Sequence, residues 1–552
     1  MVISNNNNKK QKRYRVLSSL LVALGSQGVS AEVSRPDPAG EISKDLIQRE
    51  QRLNSSNKSR EKKRPSIEED PAPVEDSGAG PVFLLNGIRF TRSAILTQQE
   101  LTAIVQPWLG KEVSFADLQK ILAGINRLYR QKNIYTAVAV FPEQNVENGM
   151  VVIRLVEGSI GEISLEGNEY TDDAYVREWI NYDAQMESID IAALERDILF
   201  YNRIHAQRLQ AELRAGKSFG LTDVIINVPE RSRNGLSLFV DNYGYQSTGE
   251  EQGSVLYQRQ QLLRFGDTAK LYALGAKGLK SVSAFYDTPV GIDGWRLAAN
   301  MQYTDSDLSE GDFSELGVKG NSLEFGLGAS YLVYSHTNLW VSLTGGFTHA
   351  QSENTVASEA LSDYQSDRYQ VGAELNWLGE QWQLTGKQQY QYVNSKERLL
   401  GTSRKIGLYG AGLTFIYNFD SPFYAITSFD GQFTSEEGLP GSVSYSLGGP
   451  SALRGYRSGA ISGDTGWYHL NELHYNGLAY KDYALDVFAF YDHGKVESVT
   501  AKQSPSSAGI GFSVTKNDSL ALDVIVAKTL KNIVPDQDKG AIYGRLTWVV
   551  WD

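Results

Sequence analysis

Trp295-Arg296-Leu297-Ala298-Ala299-Asn300-Met301-Gln302-Tyr303-Thr304 is the stretch whose reading decides the fold class. Trp295, Leu297, Ala299, Met301 and Tyr303 alternate with Arg296, Ala298, Asn300, Gln302 and Thr304, a period of two that fits an extended strand with one apolar and one mostly polar face. The pattern recurs: Leu323, Phe325, Leu327, Ala329, Tyr331 and Val333 alternate mostly with Glu324, glycines and Ser330, and similar runs occupy 339–347, 371–377, 423–433, 485–491, 508–514 and 520–526. No helical period appears after Glu230. A soluble sandwich also alternates, but runs of about ten residues with aromatics near their ends are the pattern of strands that cross a bilayer. At about 20 residues per strand and connection, 231–552 has room for roughly sixteen strands, an even number as an antiparallel up-and-down barrel requires. The expected fold is therefore an all-β transmembrane barrel over 231–552. Its polar loops are expected at Thr304 to Gly320 and Gln351 to Arg368, its short turns at Ile292-Asp293-Gly294 and Tyr334 to Asn338.

Upstream, 82–158 and 159–230 read as two copies of one β-α-α-β-β unit of about 75 residues. In the first, a strand from Phe83 to Phe90 precedes a helix opened by Thr97-Gln98-Gln99-Glu100, a capping box. Leu101, Ile104, Val105 and Trp108 share one face. A second helix starts near Ser114, with Leu118, Ile121, Leu122, Ile125 and Leu128 at helical spacing, and strands follow at Tyr135 to Phe141 and Val151 to Val156. The second unit repeats the order: a strand from Ile160, helices around 172–180 and 189–201, then strands over 208–215 and 221–228.

The first 31 residues have the form of a secretory signal: Lys9, Lys10, Lys12, Arg13 and Arg15, an apolar core from Val16 to Leu24, then Val29-Ser30-Ala31, with cleavage expected after Ala31. That core is too short to span a bilayer. From Glu32 to Pro81 charge and proline dominate, the composition of a linker. Within it Glu41 to Arg64 lacks proline and sets Ile42, Leu46 and Leu53 on one side, a weakly amphipathic helix candidate.

Composition removes several functions. With no cysteine there is no disulfide framework, thiolate metal site or thiol nucleophile. A net charge of −12, from 53 basic and 65 acidic residues, argues against nucleic acid as a partner. The six histidines show no metal-ligand spacing, and neither a nucleophile elbow nor a phosphate-binding loop occurs, so no catalytic residue, cofactor or metal is expected.

Two motifs remain. Leu453-Arg454-Gly455-Tyr456 lies in a glycine-rich stretch that begins Leu447-Gly448-Gly449-Pro450. Phe490-Tyr491-Asp492-His493-Gly494 lies on a strand run. By parity Phe488, Phe490 and Asp492 face opposite to Leu485, Val487, Ala489 and Tyr491, which turns Asp492 toward the lumen. An inward carboxylate needs a cation, and an arginine at the tip of a loop folded into the barrel supplies one through a two-pronged contact. Gly455 would let the backbone approach closely and Tyr456 would pack on the wall.

These motifs resemble the sixth-loop tip and the F-x-D-x-G strand signature of the Omp85 superfamily. The two upstream units resemble its polypeptide-transport-associated (POTRA) domains, and their number resembles the two-partner secretion translocators of the haemolysin secretion/activation type. Tyr135, Thr136, Pro142, Gln144, Gly149, Glu157 and Gly158 match that subfamily's pattern in the first unit. The resemblance implies a protein of the Gram-negative outer membrane with POTRA domains in the periplasm and a pore-inserted loop near 447–463. It further implies export, without ATP, of one large haemolysin- or adhesin-like exoprotein through recognition of its N-terminal secretion domain. Partners are then that exoprotein, outer-membrane lipids and the barrel-assembly machinery that inserts the chain. The 41–64 segment resembles the helix that plugs the resting pore in some members. An outer-membrane assembly factor is the main alternative and a diffusion porin the lesser one. An enzyme reading has no nucleophile–base pair behind it.

Overall fold

The computed structural model describes residues 35–44, 46, 82–132, 134, 137–157, 159–180, 191–215, 217, 221–230, 232–310, 314–517, 519–533 and 539–551. The signal sequence, most of the linker with Leu53, and Tyr135, Thr136 and Gly158 lie outside them. The described chain forms two compact units, one of the two upstream modules and one of the barrel with the helical segment near residue 40.

Sixteen long antiparallel strands, from Asn234–Asp241 to Gly540–Trp551, close into a barrel, with the two-residue strand Lys502–Gln503 attached beside Tyr483–Glu497. Its polarity is inverted relative to a soluble protein. Leu297, Met301, Phe325, Leu343, Val371, Leu413, Ile510 and Ile542 are exposed on the outside, whereas Gln302, Thr304, Ser322, Glu324, Ser352 and Asn354 are buried inside. An apolar exterior continued over so many strands requires a hydrocarbon solvent, and closure leaves no unpaired edge within it.

One loop expectation fails. Gln351 to Arg368 is a hairpin: strands Leu339–Val356 and Glu359–Leu378 run through it and turn at Ala357 and Ser358, whose φ values are 49° and 72°. Side-chain direction still alternates there, since Ser352, Asn354, Ser362 and Tyr364 point inward and are buried. Hydropathy does not alternate, because the outward face is polar as well: Glu353 and Asp363 pair with Arg398 and Asp367 pairs with His349, while the inner face meets polar groups of the 35–44 segment. At 304–320 the strands extend to Asp307 and resume at Val318, shortening that loop as well.

The barrel closes between its first and last strands by a short ladder, from Arg545↔Asp241 to Trp551↔Leu236 with an irregularity after Val549. Side chains reinforce it. Arg545 donates to buried Asp241 through Nε (3.0 Å) and Nη2 (2.9 Å) and lies over the rings of Phe239 and Tyr243. Beyond Asp241, the Asn242 amide takes over the ladder, donating to the Ile542 carbonyl and accepting from Gly544 N–H, both at 2.8 Å. Arg545→Ala strands the Asp241 carboxylate and weakens closure by about 3 kcal/mol. The expected result is a lower temperature for loss of the compact, fast-migrating form on semi-native gels. An unchanged transition would show that closure does not depend on this pair.

In the other unit both modules have the same sheet topology. In the first, Met150–Glu157 is central, parallel to Gly87–Phe90 and antiparallel to Ala137–Val140; in the second, Leu221–Asn227 is central, parallel to Ser159–Glu166 and antiparallel to Gln210–Ala215. The first module's helices, Gln98–Val105 and Phe115–Gln131, both start on capping boxes, Thr97 with Glu100 and Ser114 with Asp117. Hydrogen bonds from the Thr97 and Ser114 backbone, assisted by Lys132 and Lys120, hold the Glu100 and Asp117 carboxyls down at about 2. Leu101, Leu118, Ile121, Leu122 and Ile125 pack against Val151, Ile153 and Leu155 to form that module's core.

Candidate functional site: a lumen filled by a helix and a locked loop

Two segments occupy the barrel interior. The first is the helix at residues 38–44, whose helical conformation recurs at 46. It starts three residues before the Glu41 read from sequence, because Asp37 caps it and Pro38 takes the first helical position, where a missing N–H costs nothing. The Asp37 carboxylate does more than cap. It accepts from Gly40 N–H (3.1 Å), Ser352 Oγ (2.7 Å), Asn354 Nδ2 (3.0 Å) and Ser442 N–H (3.2 Å), so one buried group ties the helix to the wall and to the long loop. Ala39 N–H donates to Asn354 Oδ1, Gln302 donates to Ser43, and Lys44 donates to the Ser444 carbonyl. Among the described residues, Ile42 and Leu46 pack against Tyr245, Leu274 and Leu279.

The second segment joins strands Phe423–Phe433 and Thr465–Tyr480 and folds back on itself through the pair Tyr445–Leu447 and Ile461–Gly463. Gly448 and Gly449 have φ of 115° and 90°, and a Cβ on Gly448 would stand 2.0 Å from the Arg457 carbonyl, so only glycine makes this turn. Hydrogen bonds from Gly449 N–H to the Tyr456 carbonyl (2.8 Å) and from Tyr456 N–H to the Leu453 carbonyl (3.0 Å) tighten the tip around Arg454. Leu453 is fully buried among Leu447, Tyr456, Ile461, Tyr468 and Val496.

Arg454 meets Asp492 as a fork. Its Nε donates to Oδ2 at 2.8 Å, its Nη2 to Oδ1 at 2.5 Å, and its backbone N–H to Oδ2 at 3.2 Å. Both side chains are almost wholly buried, at 3 % and 0 % exposed, so the pair is shielded from water, where charge-assisted bonds are strongest and an unpaired charge most costly. The guanidinium centre lies 3.7 Å from the centroid of the Phe490 ring. Its remaining nitrogen, Nη1, donates to Glu472 on the neighbouring strand. Glu472 is a site residue that parity reasoning missed; it is an inward carboxylate in a run whose inner face mixes Tyr468 and Leu470 with His474, so nothing local marks it.

The other motif positions have geometric reasons. A Cβ on Gly455 would stand 2.5 Å from Ser507 Cβ, so the tip backbone lies flush on the wall. Tyr456 OH donates to the Lys531 carbonyl (2.6 Å) and accepts from Ser506 N–H (3.2 Å), while Tyr543 OH donates to the Tyr456 carbonyl (2.6 Å). Gly494 leaves room for Leu447, whose Cδ1 would come within 3.1 Å of an added Cβ.

The matching positions Gln144, Gly149 and Glu157 of the first module brace the module itself. The Gln144 amide continues the sheet beside the central strand, accepting from Val152 N–H (2.6 Å) and donating to its carbonyl (2.7 Å), with a long contact to the Pro142 carbonyl. Gly149, at φ 68°, turns where a Cβ would strike the Leu84 carbonyl. Glu157 accepts from Ser93 Oγ, Ala94 N–H and Tyr129 OH, clamping the loop before the first helix. Burial, followed by the hydrogen bond to Glu157, pushes the Tyr129 phenol up. Among the described residues no group of acidic or histidine side chains could hold a metal ion.

Comparison with known proteins agrees with this architecture. The profile of the family described as haemolysin secretion/activation protein ShlB/FhaC/HecB matches residues 220–515, and that of the ShlB-type POTRA domain matches 83–158. The heme/hemopexin transporter protein HuxB of Haemophilus influenzae strain Rd is 25 % identical over 96 % of this chain and 98 % of its own. The outer membrane transporter CdiB of Dickeya dadantii is 22 % identical over 81 % and 83 %. Among solved structures, CdiB from Escherichia coli superposes with a TM-score of 0.65 at 20 % identity, covering 94 % of this chain and all of that one. With more than half of its length matched by the first profile, the chain belongs to the haemolysin secretion/activation protein family ShlB/FhaC/HecB, the outer-membrane transporters of two-partner secretion.

Proposed function

We propose that this protein exports one large exoprotein across the outer membrane: the two modules, on the periplasmic side, receive its N-terminal secretion domain and the barrel conducts the extended chain outward. No ATP is used; folding of the emerging β-rich partner outside makes the movement one-way. The observation that carries this reading is the way the lumen is filled. Among the described residues the helix at 38–44 and 46 is held mainly by polar contacts, with Asp37 as the hub. Such a segment can exchange its hydrogen bonds for water and leave without exposing a large apolar face, as a removable plug must. The 434–464 loop stays, fixed by Arg454.

Each module's sheet leaves edges at Ala137–Val140 and Gln210–Ala215 that suit strand addition by an incoming chain. A photo-crosslinker placed at Val138, which is exposed on the first of these edges, should trap one large polypeptide during secretion. Trapping many different outer-membrane barrel precursors instead would support an assembly factor and refute export of a dedicated partner.

Asp37→Ala removes four hydrogen bonds that join the helix to itself, the wall and the loop. The expected result in planar bilayers is a pore open for a much larger fraction of the time, with unchanged unit conductance. Unaltered open probability would mean that Asp37 does not hold the helix in place.

A further inference from the structure

A buried histidine stands beside the loop anchor. His474, on strand Thr465–Tyr480, is 2 % exposed and has a carboxylate on each side: Nε2 lies 3.0 Å from Glu472 Oε2 and Nδ1 lies 2.8 Å from Asp486 Oδ1. Tyr424 OH donates to the other Asp486 oxygen. Tyr424, His474 and Phe488 form one cross-strand row, with the imidazole stacked 4.4 Å from the first ring and 4.7 Å from the second. Phe488 lies over Gly511, where an added Cβ would stand 2.2 Å from its Cζ, so the stack has no slack on that side.

An ionised carboxylate only accepts, so a ring nitrogen facing each of two carboxylates satisfies both only when both nitrogens carry hydrogen. The doubly protonated imidazolium is that species. Glu472 spends its other oxygen on Arg454. The titratable and charged groups around His474 are thus Glu472 on its own strand, Asp486 and, further along the same strand, Asp492 on Tyr483–Glu497, Tyr424 on the opposite neighbour, and Arg454 from the loop. With the proton, two cations face three carboxylates. Without it, Arg454 is the cation left for Glu472 and Asp492, Asp486 keeps Tyr424, and one ring lone pair points at a carboxylate oxygen.

We propose that His474 is a positioning residue for the loop anchor: as an imidazolium it ties Glu472 to Asp486 and holds Glu472 against Arg454, so the seating of the loop tip depends on the proton His474 carries. Deprotonation accompanies rising pH, hence the tip is seated firmly at low pH and more loosely at high pH. This rests on the reading of Arg454 as the loop's anchor, which secretion by an Arg454 variant tests separately.

Because the chain has no cysteine, a single nitroxide attached through Ser451→Cys reports on the tip in the full chain reconstituted in lipid vesicles. Its mobile spectral fraction is expected to rise with pH along a one-proton curve. His474→Gln should give a large mobile fraction and no such curve. Asp486→Asn, which removes a charge facing the imidazolium, should move the midpoint down by roughly one pH unit. A flat profile in the otherwise unaltered chain, or the same midpoint in the His474→Gln variant, would overturn the proposal. If that variant does not insert, an unmoved midpoint in Asp486→Asn overturns it alone.

Discussion

Arg454→Ala abolishes most secretion while the barrel remains inserted and folded. Truncating the side chain leaves Asp492 and Glu472 facing each other inside the lumen with no cation between them, and breaking a buried pair in this way costs about 3–5 kcal/mol. The barrel does not need that energy to close, since its strand ladders and the Arg545–Asp241 contact at the seam do not involve the loop. The loop does need it, because Arg454 is the buried charged tie of the tip to the strands that carry Asp492 and Glu472. Secretion is therefore expected to fall by about tenfold or more, with normal outer-membrane abundance and heat-modifiable mobility. Arg454→Lys should rescue little, because an ammonium cannot form the fork with Asp492 while also reaching Glu472. In a double-mutant cycle, adding Asp492→Ala to Arg454→Ala should cost much less than the separate losses combined. Normal secretion by Arg454→Ala would refute the anchor.

Deleting 83–230 abolishes export of the partner and spares the barrel. The closed sheet, the helix at 38–44 and the loop seat belong to a unit distinct from the one that holds both modules. The truncated chain should therefore insert and give a heat-modifiable band. The partner, having lost the surface that receives its secretion domain, should accumulate in the periplasm and be degraded there. Export at ordinary levels by the truncated chain would refute the receptor role of the modules.

How much of this was legible depended on which solvent each residue faces. Where a strand separates lipid from lumen, as at 295–304, alternation is strong and marks the strand, while the number of roughly sixteen followed from the length of 231–552. At 351–368 the outward residues Glu353, Asp363 and Asp367 are as polar as the inward ones, so hydropathy stops alternating and the strands have the composition of a loop. The parity of 485–492 turned Asp492 inward, and the fork with Arg454 is there in the structure. Glu472 and His474 carry no such mark, since inward polar residues are the rule in a lumen and only three-dimensional proximity shows that these two join a chain of contacts to Arg454. The start at Asp37-Pro38 was hidden for a different reason: proline breaks a helix interior, whereas at the first helical position it favours a start. In the first module, Gln144, Gly149 and Glu157 matched a family pattern, yet their contacts are internal.

The most direct test of the central claim compares the secreted, surface and outer-membrane proteins of the source bacterium with those of a clean deletion of this gene. Export of a dedicated partner predicts loss of one large exoprotein from outside the cell, with other outer-membrane barrels unchanged and secretion restored by the intact gene but not by its Arg454→Ala form. Broad depletion of outer-membrane barrels, or no change in any protein alongside altered uptake of small solutes, would contradict it.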